Sequence, residues 1–260
     1  HGTLFVVAAG NEGAEAAISC PGAADAALTV AAVDSTDQMA WFSSQGPRYL
    51  NYGLKPDIAA PGVDILAAKA GGNATDGWYT SMSGTSMATP HVAGAAADLA
   101  EEHPGWTGQQ IKDALMSTST PIEGGTYHVG AGRLDLTVGT TDTITATGSA
   151  FLGFSQWPHP TLEPESRTIT YTNSGATAVT LDLAETVQIA GGPYDVDPSA
   201  DAGTPAPDGM FTLSASKVTV PAHGSVDVVA TGDPSKGQQA RRYVGQVVAT
   251  DASGAVKART

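Results

Sequence analysis

The stretch SMSGTSMATPHVAG, residues 81–94, decides how the first half of this chain is interpreted. It places Ser86 among very small side chains and leads into an alanine-rich run that predicts a helix from Ser86 to Glu102. A helix N-terminus offers free amide N–H groups and the positive end of the helix dipole, and both favour negative charge. Ser86 is therefore a candidate nucleophile, and the alternative at this position is an ordinary N-cap serine.

Three short apolar runs precede this helix, and each ends in a turn. They are residues 3–10, 26–33 and 55–62. Their continuous apolar character is typical of parallel strands that are buried on both faces. A second helix is predicted after Thr107, which can form a capping box with Gln110. This order of strands and helices indicates an α/β fold, with a parallel sheet and flanking helices.

The pattern changes near residue 140, where apolar and polar side chains begin to alternate with a period of two. The alternating runs are residues 166–173, 177–184 and 224–231. Asn173-Ser174-Gly175, between the first two runs, predicts a hairpin turn. We therefore predict two domains, with residues 1–140 forming the α/β part and residues 141–260 forming an all-β sandwich of the fibronectin type III kind.

The composition excludes several classes of function. The 260 residues carry 26 acidic and 12 basic side chains, giving a formal net charge of −14. Because Lys and Arg form no cluster, nucleic acid and anionic membranes are not expected partners. No apolar run reaches the roughly 18 residues of a membrane span. The single cysteine, Cys20, rules out an internal disulfide framework and is expected to be a small buried residue.

A second polar group follows the first predicted strand. Asn11, in the stretch AAGNEG at 8–13, falls at the carboxyl end of a strand, where open α/β sheets bind their ligands. Its side-chain amide could donate a hydrogen bond to a negatively charged oxygen. Asn before Glu-Gly is also typical of a simple turn. Only the combination of Asn11 with Ser86 favours a functional site.

Two motifs together carry a resemblance to a known family. They are VVAAGNEG at 6–13 and GTSMATPHVAG at 84–94, supported more weakly by AAPG at 59–62 and GAGRLDL at 130–136. In this order they resemble the subtilisin-like serine proteases, the subtilases. The resemblance covers residues 1 to about 137 and implies a partial subtilisin-like parallel sheet. The layout, with a β-sandwich appended, is similar to that of large secreted bacterial subtilases.

The resemblance also implies an activity and a site. It makes the protein a secreted, extracellular serine endopeptidase that hydrolyses proteins or peptides through an acyl-enzyme on Ser86. The Ser86 backbone N–H and the Asn11 side chain would stabilise the oxyanion. Ala8, Ala9 and Gly10 would line one wall of the substrate pocket. Ser19 would lie near the pocket floor, where the family usually has glycine.

The resemblance implies no cofactor for the chemistry, and oligomeric state is not predicted. Subtilases commonly bind structural calcium. The acidic stretch YDVDPSAD at 194–201, with Asp195, Asp197 and Asp201, lacks the turn glycine and the closing glutamate of a calcium loop. A solvated loop is the favoured interpretation, and no calcium site is assigned.

A catalytic serine also needs a general base and a carboxylate that orients the base, and subtilases carry both upstream of the serine. The one upstream histidine, His1, lies too close to Asn11 and leads directly into a strand, so it is not assigned. His91 shares a helix with Ser86 and is expected to point into the core. We therefore expect a C-terminal portion of the catalytic domain, inactive by itself, with the triad Asp and His in a preceding segment.

Two other interpretations stay open. Gly84-Thr85-Ser86-Met87-Ala88 also fits the nucleophile elbow of lipases and esterases, which needs a buried strand directly before the serine. Residues 71–84 are polar and glycine-rich, which is a poor pattern for such a strand. In the second alternative, the chain is a non-catalytic β-sandwich binding module attached to a protease remnant.

Overall fold

The structure is a computed structural model that describes residues 2–49, 51–154, 162–190, 203–238 and 241–260. The α/β elements are β1 (Val6–Ala8), β2 (Leu28–Val33), β3 (Ile58–Pro61), β4 (Ile65–Asn73), β5 (Gly77–Met82), α1 (Thr85–Glu102), α2 (Gly108–Ser117), α3 (Thr126–Val129) and α4 (Leu136–Thr141). They are followed by β6 (Ile144–Ala146), β7 (Glu165–Asn173), β8 (Val179–Ile189), β9 (Phe211–Leu213), β10 (Lys217–Val220), β11 (Gly224–Gly232), β12 (Tyr243–Thr250) and β13 (Val256–Arg259).

The chain packs as two compact units. The first comprises His1–Leu50, Leu54–Lys112 and Thr120–Leu134, and the second comprises Asn51–Gly53, Asp113–Ser119 and Asp135–Thr260. The domain division at residue 140 stays a prediction. In the described part of the chain, no helix has both the length and the apolar character needed to cross a bilayer.

The first unit contains the predicted parallel sheet, with strand order β1-β2-β3. All six residues of β2 are buried, as expected for a parallel strand covered on both faces. Ala31 and Val33 pack with Val129 of α3, while α1 contacts all three strands. The strand β1 is shorter than the apolar run at 3–10, and its residues are only half-buried.

Helix α1 is placed tightly against the end of the sheet. Its buried residues follow a helical spacing, and they are Thr85, Ala88, Val92, Ala95 and Leu99. A side chain at Gly62, just after β3, would begin 2.7 Å from the Ala32 Cβ and 2.8 Å from the Gly84 carbonyl oxygen. Glycine is therefore required where the start of α1 approaches the sheet.

The start of α2 shows the predicted capping box. The Thr107 N–H donates to Gln110 Oε1 at 2.8 Å, and the Gln110 N–H donates to Thr107 Oγ1 at 3.3 Å. These reciprocal bonds satisfy amide donors that have no partner within the helix. The capping-box prediction is confirmed.

Two lysines share the buried carboxylate of Asp57, the residue directly before β3. Lys55 Nζ lies 2.6 Å from Asp57 Oδ2, and Lys112 Nζ lies 3.2 Å from Asp57 Oδ1, with all three side chains almost completely buried. Both ammonium groups also donate to the Ala27 carbonyl oxygen at 2.8 Å. Burial lowers the pKa of Lys55 below its ordinary value, although the Asp57 charge opposes this shift. The cluster ties the segment before β2 to β3 and α2.

In the described part of the second unit, two antiparallel four-stranded sheets have the strand orders β6-β7-β11-β9 and β10-β8-β12-β13. Buried side chains from both sheets, among them Tyr171, Val228 and Leu181, form one hydrophobic cluster. The hairpin predicted at Asn173-Ser174-Gly175 is wrong, because β7 and β8 lie in different sheets. Asn173 instead stabilises the connection between the two sheets, because its Nδ2 donates to the Thr177 carbonyl oxygen at 2.8 Å. Membership of the fibronectin type III class stays a prediction.

The β4–β5 segment and Cys20 differ from what the sequence predicted. The strands β4 and β5 form an antiparallel hairpin that the composition of residues 71–84 did not indicate, because most of its residues are exposed on both faces. Cys20 is exposed, so the prediction of a buried cysteine is wrong. The acidic stretch at 194–201 lies outside the described residues.

Candidate active site

Asn11 and the start of α1, which are more than 70 residues apart in sequence, meet directly in the structure. The Asn11 Oδ1 accepts hydrogen bonds from the Thr85 N–H and from Thr85 Oγ1, both at 2.9 Å. Thr85 Oγ1 in turn accepts from the Gly10 N–H at 3.2 Å. Because the two donors occupy the carboxamide oxygen, the Asn11 NH2 group is the end that remains directed away from Thr85.

Ser86 does not cap its helix. The N-cap of α1 is Gly84, with no side-chain cap, and Ser86 lies within the first turn. The Ser86 side chain is exposed. Neither its hydroxyl nor its backbone N–H makes a hydrogen bond with any residue that the structure describes. The N-cap alternative is therefore wrong, and an exposed serine with an unbonded amide lies at the positive end of the helix dipole.

The geometry at Gly84 brings the two predicted oxyanion donors around one point. A Cβ atom built on Gly84 would lie 3.5 Å from Asn11 Nδ2, 3.7 Å from the Ser86 backbone N and 3.6 Å from Met87 Sδ. Gly84 itself is extended, with φ 161°. The space beside this residue is thus bordered by two N–H donors of different origin, one from a side chain and one from a helix N-terminus. Such a pair can stabilise a developing negative charge.

The residues predicted to line a substrate pocket lie together at the end of β1. Ala8 and Gly10 are half-buried, whereas the Ala9 side chain is completely enclosed and its N–H donates to the Val30 carbonyl oxygen at 2.9 Å. Ser19 is exposed. A side chain at Gly22 would begin 3.2 Å from the carbonyl oxygens of both Ala8 and Ser19. The Ser19 segment therefore runs beside the end of β1, and its part in substrate binding stays a prediction.

The histidines give Ser86 no partner in the described part of the chain. His91 is exposed, so the prediction that it points into the core is wrong. Its Nδ1 lies 2.9 Å from the Met87 carbonyl oxygen on the same helix. Because a carbonyl oxygen only accepts, Nδ1 carries the proton in this contact. His1 lies outside the described residues.

Sequence reasoning missed two residues that hold Asn11 in place. Thr85 contributes both its backbone and its hydroxyl, and its position directly before Ser86 in the motif was the available signal. Ser44, from the segment after β2, contacts the peptide groups on both sides of Asn11. No local pattern marks Ser44, because its role depends on a contact between segments about 30 residues apart.

Fold and site together define a class of protein: an α/β unit with an exposed serine at a helix N-terminus, beside a carboxamide from a strand end. A family model described as the subtilase family matches residues 1–133. Since this is more than half of the 260 residues, the chain belongs to the subtilase family.

Individual curated relatives agree with this membership. The chain is 40% identical over 138 residues to Subtilisin E of Bacillus subtilis, covering 52% of this chain and 33% of that protein. It is also 40% identical over 138 residues to a subtilisin of Bacillus pumilus, covering 46% of that protein. The solved structure of the self-cleaved protease domain of PatA matches 54% of this chain and 49% of that chain, with 37% identity and a TM-score of 0.44. The chain thus spans less than half the length of the curated relatives it matches.

Proposed function

We propose that this chain supplies the nucleophile and the oxyanion site of a serine endopeptidase. The observation that carries the proposal is the space beside Gly84, which has Asn11 Nδ2 at 3.5 Å and the Ser86 N at 3.7 Å. Ser86 Oγ attacks the carbonyl carbon of the scissile peptide bond, and its proton passes to a general base. The carbonyl oxygen becomes an oxyanion held by the two N–H donors.

The tetrahedral intermediate then collapses and expels the amine, and the base transfers to this amine the proton that it took from Ser86. The acyl group remains on Ser86 Oγ, and water attacks this ester by the same route to release the acid and restore the serine. Removing one oxyanion donor costs about 10²–10³ in kcat, a magnitude that was itself established in subtilisin. The Asn11 carboxamide is expected to contribute at that level.

We place the general base and its carboxylate outside these 260 residues. The Ser86 hydroxyl has no hydrogen-bond partner in the described ranges, and His91 is held by the Met87 carbonyl oxygen on the same helix. The curated relatives contain more than twice the matched length, which leaves room for both groups. The chain by itself is therefore expected to have no proteolytic activity.

The wider assignments belong to the same proposal. The substrates are proteins or peptides, the location is extracellular and no cofactor takes part in the chemistry. Residues 141–260 form an accessory β-sandwich with a stabilising or spacing role. The lipase or esterase alternative is disfavoured. It needs a strand of the buried sheet directly before the serine, whereas the strand before Ser86 belongs to an exposed antiparallel hairpin.

Chemical rescue of the missing base tests the proposal. The chain is treated with a fluorophosphonate probe, without and with added imidazole. Attack by Ser86 Oγ on phosphorus displaces fluoride, while free imidazole takes the serine proton. We expect background labelling without imidazole, a rate that rises with imidazole concentration, and none of this increase in Ser86→Ala.

The variants separate the competing interpretations. Asn11→Ala should lower the imidazole-dependent rate by about 10²-fold, whereas Asn73→Ala, at the exposed tip of the β4–β5 hairpin, should leave it unchanged. Equal labelling of Ser86→Ala, or an unchanged rate in Asn11→Ala, would refute the proposed site. Absence of any rescue would favour the non-catalytic remnant. Rapid labelling without imidazole would show that a base exists within these residues.

A further inference from the structure

The segment of residues 40–46 runs alongside the loop that carries Asn11 and is bonded to it along its length. The Gly13 N–H donates to the Phe42 carbonyl oxygen at 2.8 Å, and the Gln45 N–H donates to the Ala14 carbonyl oxygen at 3.0 Å. These contacts connect main-chain atoms on both sides, so they fix the path of the loop without depending on its side chains. Ser44 lies in the middle of this segment.

Ser44 holds the peptide groups on both sides of Asn11. Its N–H donates to the Gly10 carbonyl oxygen at 2.9 Å, and its Oγ accepts from the Glu12 N–H at 3.1 Å. Ser44 is completely buried. A side chain at Gly10, whose φ is +111°, would begin 2.8 Å from Ser44 Oγ, so the loop can approach Ser44 this closely only with glycine at that position.

The Asn11 carboxamide is thus restrained from two directions. Thr85 holds its oxygen, while Ser44 holds the backbone from which the side chain extends. A donor aimed at a reacting oxygen is effective only when its supporting groups keep it in place, because small displacements are costly to catalysis. The bond between the Glu12 N–H and Ser44 Oγ is only partly buried, and the main-chain bonds on either side of it remain when the hydroxyl is removed. Removal would therefore loosen the loop more than it would unfold the protein.

We propose that Ser44 is a positioning residue, whose hydroxyl fixes the Asn11 carboxamide by clamping the Glu12 N–H. This inference rests on the oxyanion role proposed above, although the restraint itself is a property of the folded chain. Ser44 does not touch the reacting atoms. Its effect on catalysis passes entirely through Asn11.

The neighbouring serine provides a matched control. Ser43 is also completely buried, and its Oγ also accepts one backbone N–H at 3.1 Å, that of Ala32 in β2. Ser44→Ala and Ser43→Ala therefore each remove one hydroxyl and one bond of the same length. Only the first of these bonds belongs to the Asn11 loop.

Nuclear magnetic resonance on the intact chain distinguishes the two variants. In Ser44→Ala we expect hydrogen exchange at the Glu12 amide to become about fivefold faster or more. A fivefold change in an equilibrium constant is what the loss of one hydrogen bond of ordinary net strength produces. The two Asn11 side-chain amide signals should shift or broaden. Ser43→Ala should change exchange at Ala32 and leave the Asn11 signals in place.

These signals do not depend on catalysis, so the two proposals fail separately. If Ser44→Ala leaves both the Glu12 exchange and the Asn11 signals unchanged, or if Ser43→Ala moves them equally, the positioning role is refuted. If they respond as expected but imidazole rescues no labelling of Ser86, the positioning role stands and the proposed function fails. If rescue occurs in the native chain, Ser44→Ala should lower its rate and Ser43→Ala should not.

Discussion

Thr85→Val is the substitution that most directly probes how the site is assembled. Valine has nearly the shape of threonine, so the change removes a hydroxyl without opening a cavity. Two hydrogen bonds are lost: the one from Thr85 Oγ1 to Asn11 Oδ1 at 2.9 Å, and the one from the Gly10 N–H to Thr85 Oγ1 at 3.2 Å. The bond from the Thr85 N–H to Asn11 Oδ1 remains.

The expected cost follows from this count. A net contribution of about 0.5–1.5 kcal/mol per hydrogen bond gives a loss of about 1–3 kcal/mol in the free energy of unfolding. The Thr85 side chain is completely buried, whereas both of the lost bonds are only partly buried, so the middle of this range is expected. The carboxamide of Asn11 also loses one of the two bonds that fix its orientation. Imidazole-rescued labelling of Ser86 should therefore slow as well.

Urea unfolding followed by tryptophan fluorescence provides the assay. Three of the four tryptophans, Trp41, Trp78 and Trp106, belong to the first compact unit, so most of the signal reports the part of the chain that contains the substitution. Thr89→Val is the matched control. It lies one turn further along the same helix, and its hydroxyl makes a single bond to the Thr85 carbonyl oxygen at 2.8 Å.

The control should lose less stability than Thr85→Val and should keep its rescued labelling rate. The prediction is wrong if Thr85→Val and Thr89→Val lose the same free energy of unfolding while the slope of that free energy against urea concentration stays unchanged. It also fails if Thr85→Val labels as fast as the native chain, because the hydroxyl would then play no part in holding Asn11.

Three further predictions concern buried groups and the helix start. Tyr171 is buried and its hydroxyl has no hydrogen-bond partner among the described residues, and burial raises its pKa to about 12. Circular dichroism should therefore show Tyr171→Phe more stable by about 1–2 kcal/mol at neutral pH. Between pH 10 and 12 the unfolded tyrosine is deprotonated while the folded one largely keeps its proton, so the native chain should lose about 2 kcal/mol that Tyr171→Phe does not lose. In urea titrations Asp57→Asn should cost about 3–5 kcal/mol, because two buried ammonium groups lose their carboxylate, and Lys55→Met should cost clearly less. Gly84→Ala should fold normally yet slow rescued labelling by placing a methyl group between the donors, whereas Gly94→Ala, with open space around it, should leave labelling unchanged.

Local patterns were sufficient to predict much of the first unit. The three parallel strands, α1 and the capping box at Thr107 each depend on residues close in sequence, and the structure contains all of them, although β1 is shorter than predicted and only half-buried. The motif around Ser86 likewise lies within one short stretch. Such features can be inferred because period, composition and capping act over a few residues.

The errors arose where distant segments decide the outcome. The turn after Asn173 has hairpin chemistry, but β7 pairs with β6 and β11, so register and core packing override the local signal. The exposure of His91 and Cys20 depends on which faces other segments cover. The β4–β5 hairpin has apolar side chains on both faces and therefore shows no clear alternation.

The hydrogen bonds that hold the Asn11 loop leave some of its exposed side chains free to vary. The Ser44 hydroxyl and the backbone of residues 42–45 bond to main-chain atoms of the loop, whereas the exposed side chains of Glu12 and Ala14 make no hydrogen bond with any described residue. Substitutions at Glu12 and Ala14 could change the charge and size of the surface next to Asn11 while the Asn11 carboxamide keeps its position. In the proposed site, the side chains around Asn11 can therefore vary without moving the proposed oxyanion donor, and such variation would favour new substrate preferences.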